Sequence, residues 1–253
     1  GFRDVDYVET IYEVVPELRD SEEGLLRSQK LPSLRNVIYI GNEHPDGMIR
    51  HDSLLDRSEQ INDADLDARA ARQGLDSVIN MQYSSGTTGF PKGVMLSNRN
   101  IVNNAYWLGE GLGLTPRDKL CVPVPFFHCF GCVIGVLGAY THAASIVPLE
   151  TFDALRVLRY IESERCTTLF GVPTMFLAEL EQLDFHNFDT TSLRTGIMAG
   201  ALCPEPLMRR VIDQMKMREL TIVYGLTETS PGLTQTPRDA DLVERTQTVG
   251  RVM

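Results

Sequence analysis

The sequence predicts an α/β fold with largely parallel sheets and helices packed on their faces. Three observations carry that expectation. Short apolar runs alternate with amphipathic stretches between residues 120 and 224. A loop of small residues follows a strand pattern and precedes a helix pattern at residues 78–108. Hydrophobic residues make up 43% of the 253, enough for a substantial core in one large domain or two small ones.

Taken in order, Val5, Val8, Ile11, Tyr12 and Val15 recur at helical spacing within residues 4–18, until Pro16 disturbs the pattern. Residues 34–40 read as a strand ended by Gly41, and His44-Pro45-Asp46-Gly47 as a turn. Residues 51–76 are rich in Asp and Arg and poor in large apolar side chains, which suits a solvated helix or a surface linker. Residues 78–83 suit a strand. Ser97-Asn98 can cap a helix that continues through Ile101, Val102, Ala105 and Leu108. From 121 to 149 there is no Asp, Glu, Lys or Arg, a length that raises the question of a membrane span. Pro123, Pro125, His128, His142 and Pro148 speak against one. A buried strand at 120–124, a buried helix at about 129–140 and a strand at 145–149 fit better. Helices at 153–165, 175–183 and 206–217 then alternate with strands at 167–170, 193–198 and 220–224.

The chemistry centres on Tyr83-Ser84-Ser85-Gly86-Thr87-Thr88-Gly89-Phe90-Pro91-Lys92-Gly93. This is read as a strand, a small-residue loop, a turn and then the helix. The glycines let the backbone approach a ligand closely. The hydroxyls of Ser84, Ser85, Thr87 and Thr88 and the backbone N–H groups can surround an anion, and Lys92 adds positive charge. An ordinary Gly/Ser/Thr surface loop is the alternative; the density of hydroxyls beside a lysine favours a polyphosphate cradle. It is not a Walker A loop, because no Gly-Lys-Ser/Thr ends it and Pro91 precedes Lys92.

In such a fold, ligands gather where loops leave the carboxyl ends of strands. Three more loops occupy such positions. Pro125-Phe126-Phe127-His128-Cys129-Phe130-Gly131 carries a histidine that suits a core position, a metal ligand or a pocket wall. Cys129-x-x-Cys132 has no second pair to complete a tetrahedral metal site, so packing at a helix start is the better reading. Met198-Ala199-Gly200-Ala201 has small residues on which a flat ring could lie, or which simply permit a tight turn. Tyr224-Gly225-Leu226-Thr227-Glu228-Thr229 is either an exposed polar loop or a nucleotide site. In the second case Tyr224 stacks on a purine, Thr227 hydrogen-bonds a phosphate and Glu228 holds magnesium through oxygen.

The segment from Tyr83 to Gly93 resembles the phosphate-binding signature of the adenylate-forming, or AMP-binding, superfamily. That group includes acyl-CoA synthetases, luciferases and peptide-synthetase adenylation domains. Gly171-Val172-Pro173-Thr174-Met175-Phe176, Glu228-Thr229-Ser230-Pro231 and Val249-Gly250-Arg251-Val252 extend the resemblance over essentially the whole chain, and toward medium-chain fatty acyl-CoA synthetases. The resemblance implies that residues 1–253 are part of the large N-terminal domain of such an enzyme. The ribose-binding Asp segment, the hinge and the C-terminal lid domain with its catalytic lysine would lie beyond Met253. It implies ATP-dependent activation of a carboxylic acid, a fatty acid being expected, to an acyl-adenylate, and then thioester formation with CoA. This chain alone is expected to be inactive. The implied roles put Ser84, Ser85, Gly86, Thr87, Thr88, Gly89 and Lys92 on the phosphates of ATP. Ala199, Gly200, Ala201, Tyr224 and Gly225 would surround adenine, although the family more often has a glycine where Ala199 stands. Trp107, Phe127 and His128 would border the acyl pocket. Lys92, Thr227 and Glu228 would act in catalysis, with Mg²⁺ on Glu228. Two other readings share these motifs: an adenylation domain that loads a carrier protein, and a nucleotide-binding module without catalysis.

A formal net charge of −10 excludes a general nucleic-acid or anionic-membrane binder, while leaving room for a local basic site for ATP or CoA. The five cysteines, odd in number and scattered, fit free thiols in a reducing compartment, and a cytoplasmic location is expected. No signal peptide is visible at the start. The chain opens at Gly1 and reads as an excerpt of a longer protein, and core surface exposed at its carboxyl end is expected to favour self-association.

Overall fold

The computed structural model describes residues 5–84, 89–182 and 184–253. The chain divides into two compact units, Gly1–Gln73 and Gly74–Met253.

In the first unit, Asp6 caps helix α1 (Tyr7–Val14) by accepting from the N–H groups of Val8 and Glu9. Pro16 then opens a 3₁₀ turn, Pro16–Asp20, because proline cannot continue the helical ladder. The strand expected at 34–40 shrinks to β1 (Ile38–Tyr39), paired in parallel with β2 (Ile49–Arg50). Tyr12, Val15, Leu18, Leu26 and Met48 form the core of this unit. Helices α2 (Ser53–Ser58) and α3 (Asp63–Ala70) bury no residue, as their polar sequence predicts.

The second unit opens with β3 (Val78–Ser84) and β4 (Lys92–Ser97), which pair antiparallel as a separate two-stranded sheet. This corrects the expected strand–loop–turn–helix order. The segment after the small-residue loop is a second strand, in which Val94 and Leu96 pack inward and Met95 is exposed. Helix α4 (Asn98–Leu112) follows β4 directly; Ser97 and Asn100 form its capping box and Gly113 ends it in the left-handed conformation.

The remaining strands form one seven-stranded sheet. In chain order they are β5 (Lys119–Val122), β6 (Ser145–Pro148), β7 (Thr168–Gly171), β8 (Thr195–Ala199), β9 (Glu219–Gly225), β10 (Gly232–Gln235) and β11 (Arg251–Val252). Their spatial order is β11-β10-β9-β8-β7-β5-β6. The run β9-β8-β7-β5-β6 is parallel, while β10 and β11 add an antiparallel edge that the sequence pattern did not disclose. From β5 the chain goes first to one neighbour, β6, and then back across to the other, β7, so the strand order reverses beside β5.

Helices cover both faces. Helices α6 (Ala154–Glu164), α7 (Pro173–Leu180) and α8 (Glu205–Gln214) pack on the face carrying Cys121, Leu169, Met198 and Leu220. Val157, Leu158 and Ile161 of α6 are fully buried there, each contributing about 1.5–3 kcal/mol by leaving water. Leu120, Val122, Phe170, Ile197 and Val223 point to the other face, against Leu108 and Leu112 of α4 and against Phe130 and Ile134. Helix α9 (Leu242–Gln247) follows β10. The charge-free stretch contains a π-helical segment, Phe130–Leu137, running into the short α5 (Gly138–Thr141). Gly131 allows its close seating: a Cβ there would lie 2.2 Å from the Pro125 carbonyl oxygen. Among the described residues no helix is long and apolar enough to cross a membrane.

Candidate active site

A cavity of about 580 Å³ opens at the carboxyl ends of β5, β8 and β9, within the size range of small-molecule sites. The β3–β4 hairpin contributes Ser84 and Lys92, which face each other across the two strands. The segment after β5 contributes His128, Phe130 and Ile134. The turn after β8 contributes Ala199 and Gly200. The end of β9 and its loop contribute Val223, Gly225, Leu226, Thr227, Glu228 and Pro231. The parallel sheet thus converges three segments on one concavity, and the separate β3–β4 hairpin adds a fourth.

Among its described lining residues the cavity carries one lysine and one carboxylate. Among the described residues neither Lys92 nor Glu228 has an ion-pair partner. Glu228 sits in the 3₁₀ turn Thr227–Thr229, with Thr227 beside it. Gly225 has to be bare, because a Cβ there would lie 1.8 Å from the Pro231 carbonyl oxygen; that close approach folds the loop back on the strand. His128 accepts a hydrogen bond from the Phe130 N–H at Nδ1, at 3.1 Å. Burial pushes its pKa below the ordinary imidazole value. The ring is therefore neutral near pH 7, with the remaining proton on Nε2 available as a donor. Phe130, Ile134 and Val223 supply an apolar wall.

The cysteine pair behind this wall is structural. The Cys129 thiol donates to Gln82 Oε1 at 2.9 Å, and Gln82 Nε2 donates to the Cys132 sulfur at 2.9 Å. Burial raises both thiol pKa values, which leaves the sulfurs protonated and poor as metal ligands or nucleophiles. Gln82 thereby ties β3 to the start of the π-helical segment.

The remaining residues singled out by sequence are placed differently. Ser85, Gly86, Thr87 and Thr88 lie outside the described residues. Gly89 follows them with φ +101°. Phe127, Ala201 and Tyr224 are not among the residues lining the cavity. Tyr224 stands between Val223 and Gly225 on β9, where alternate residues face opposite ways. Trp107 is brought elsewhere: it lines a separate concavity of about 330 Å³ with Arg99, Asn103, Thr229 and Val252. Its helical face looks away from Leu108, whose side chain is in the core. Sequence reasoning gave Val223 no role in the site and quoted Pro231 only within the family resemblance. β9 is buried on both faces, with Leu220 and Ile222 on one and Val223 on the other, and only the assembled sheet shows which face ends at the cavity.

Among the described residues no group of three or more His, Cys, Asp or Glu forms a metal cage. The donor set fits magnesium nonetheless, since that ion is commonly held by one or two carboxylates together with substrate phosphates and water. Glu228 is such a carboxylate, on the same cavity as Lys92.

The AMP-binding enzyme family matches residues 13–253. The chain is 46% identical over 253 residues to YngI of Bacillus subtilis, which covers all of this chain and 46% of that protein. It is 39% identical over 233 residues to the mitochondrial medium-chain acyl-CoA ligase ACSF2 of Danio rerio, covering 91% of this chain and 38% of the ligase. The ATP-bound crystal structure of MatB from Rhodopseudomonas palustris superposes with a TM-score of 0.62 at 28% identity, covering 72% of this chain and 35% of MatB. The chain thus spans about half the length, or less, of these relatives. With the family match running over nearly its whole length and the cavity lying where an α/β sheet gathers its ligands, this chain belongs to the AMP-binding enzyme family.

Proposed function

We propose that the complete protein activates a carboxylic acid with ATP and passes the acyl group to CoA, and that residues 1–253 are part of its N-terminal adenylation domain. The observation that carries this reading is the meeting of Lys92, Thr227, Glu228, His128 and Gly200 on one cavity. A substrate carboxylate oxygen attacks the α-phosphorus of ATP, the bond to the β-phosphate oxygen breaks, and pyrophosphate leaves. The acyl-adenylate then reacts with the CoA thiol and AMP departs. Both reactants of the first step are anions, so positive charge and fixed orientation lower its barrier. Lys92, Ser84 and the loop residues Ser85, Gly86, Thr87, Thr88 and Gly89 hold the β- and γ-phosphates. Thr227 orients the α-phosphate. Ala199, Gly200 and Gly225 give adenine a flat seat, with Ala201 and Tyr224 at its margin. His128, as a neutral donor, borders the carboxylate, next in sequence to Phe127, with Phe130 and Ile134 on the acyl chain. A magnesium ion held by Glu228 would offset charge on the phosphates.

The acid is a medium-chain fatty acid in this reading. The apolar wall supports it, as does the name of the Danio rerio relative. So does the cavity's acid inventory: Glu228 is the sole carboxylate among its described lining residues, which leaves none to pair an α-amino group. We place the protein in the cytoplasm, supported by five free cysteines. The isolated chain is expected to be inactive and to self-associate through exposed Trp107, Val249 and Val252. The deciding experiment is ATP–pyrophosphate exchange by the complete enzyme with a panel of fatty and amino acids. Exchange driven by medium-chain acids is expected. Exchange with amino acids alone would favour the carrier-loading alternative, and nucleotide binding without exchange would leave only a binding module.

A further inference from the structure

We propose that Asn104 is a positioning residue that sets the Thr227–Glu228 pair against Lys92. Asn104 lies on α4, half-buried, and its side-chain amide grips the loop after β9 from 125 to 128 residues away in sequence. Its Oδ1 accepts from the Gly232 N–H at 2.9 Å. Its Nδ2 donates to the Gly232 carbonyl at 2.7 Å and to the Thr229 carbonyl at 3.2 Å. The amide therefore meets both backbone groups of Gly232 as a neighbouring strand would, and it uses its acceptor and both its donor protons.

The same helix leads back to the other charged group of the cavity. Ser97 ends β4 and is also the N-cap of α4, so strand and helix are continuous. β4 begins at Lys92, and it packs against the Thr227–Thr229 turn. One continuous element thus carries Lys92 at its start and clamps the Thr227–Glu228 loop partway along. Inside that loop, Thr229 Oγ1 accepts from the Leu226 N–H at 2.9 Å. This bond shapes the turn without anchoring it outside itself. Outside the loop, Cys129 hydrogen-bonds the Thr227 side chain and Asn104 holds the Thr229 and Gly232 backbone, which makes α4 a strut for the separation between the lysine and the Thr227–Glu228 pair. In-line attack at phosphorus depends on that separation, since a displacement of about 1 Å can cost on the order of 100-fold in rate.

This inference rests on the ATP-dependent reading of the cavity, and its test separates the two. In the complete enzyme, Asn104→Asp keeps the volume and the acceptor but sets a carboxylate against two carbonyls, and Asn104→Ala removes the clamp. Leu112→Ala is the control: it weakens the same helix from its core side, at the end remote from β4 and at a residue that does not line the cavity. The measurements are acid-dependent ATP–pyrophosphate exchange, thermal stability, and hydrogen exchange of the Gly232 amide. Both Asn104 variants are expected to lower kcat by about 10-fold or more while the KM for ATP moves by less than about threefold, the mark of contacts used in the transition state. Gly232 should exchange faster in Asn104→Ala, which removes its acceptor. Leu112→Ala, at an equal or larger loss of thermal stability, should keep kcat within about twofold. Unchanged kcat in the Asn104 variants, or a loss matched by Leu112→Ala, would overturn the proposal. Should Asn104→Ala fail to fold, Asn104→Asp decides. If the wild-type enzyme shows no exchange, the ATP-dependent reading falls and the clamp is judged on Gly232 alone, with unchanged protection in Asn104→Leu, which keeps the bulk and removes the acceptor, counting against it.

Discussion

Replacing Asp118 should cost stability without touching the chemistry, because the residue sits just before the amino end of β5, opposite the cavity. Its carboxylate is 4% exposed and accepts from Arg194 Nε at 3.0 Å and Arg194 Nη2 at 2.8 Å. It also accepts from the Thr115 N–H, the Thr115 hydroxyl and the Thr167 hydroxyl, at 2.8, 2.9 and 2.7 Å. Arg194 in turn donates to the carbonyls of Leu112 and Gly113, so the pair joins the end of α4 to the sheet. Breaking a buried pair by removing one partner costs about 3–5 kcal/mol. Asp118→Ala should fall toward the lower end, since Glu219 remains 2.8 Å from Arg194 and the guanidinium side chain is 32% exposed. Burial alone would raise the Asp118 pKa, but the Arg194 and threonine hydrogen bonds outweigh it and hold the carboxyl below its usual value. The sign follows from that depression. The pair's contribution is full above the unfolded carboxylate pKa of about 3.9, and it is lost as pH falls through the lower folded value. Urea denaturation of wild type and Asp118→Ala between neutral pH and pH 3 reads both effects. A loss under about 1 kcal/mol at pH 7 would refute the reasoning, as would a difference that does not shrink in acid.

Lys92→Ala in the complete enzyme should slow acid-dependent ATP–pyrophosphate exchange by about 10-fold or more with the fold intact, because Lys92 is exposed at a strand end; unchanged exchange would reduce it to a surface lysine. Glu228→Gln should raise the magnesium concentration for half-maximal activity, and a titration identical to wild type would remove its metal role. Glu179 is 1% exposed on α7, Oε2 has no partner among the described residues, and burial raises its pKa well above the ordinary carboxylate value. Wild-type stability therefore declines as pH climbs from about 4.3 toward that raised value, and Glu179→Met should raise Tm by an amount that grows over the same interval. The gain should be about 1–3 kcal/mol, the cost of an unsatisfied buried group, and a variant less stable at pH 8 would contradict it.

Much of this protein is legible along the chain. The Ser97 cap, the apolar stripe of α6 and the buried runs of β5, β7, β8 and β9 are local facts, set by periodicities of 3.6 and 2 and by side chains that satisfy a helix end. The family resemblance likewise rests on contiguous motifs, and it pointed to the hairpin tip and to the loop after β9. What the chain did not disclose is non-local. β4 reads as a turn until Lys92–Ser97 finds β3 to pair with; β10 pairs along the edge of β9, and β11 along the edge of β10. Trp107 is apolar wherever it stands; the rotation of α4, fixed by burial of Ile101, Ala105 and Leu108, turns it from the cavity to a second concavity. Asn104 is one polar residue among several on that helix. Only the docking of α4 on the sheet brings its amide to Gly232, and a hydrogen bond spanning 128 residues leaves no trace in local pattern, because its cause is where two distant segments come to rest.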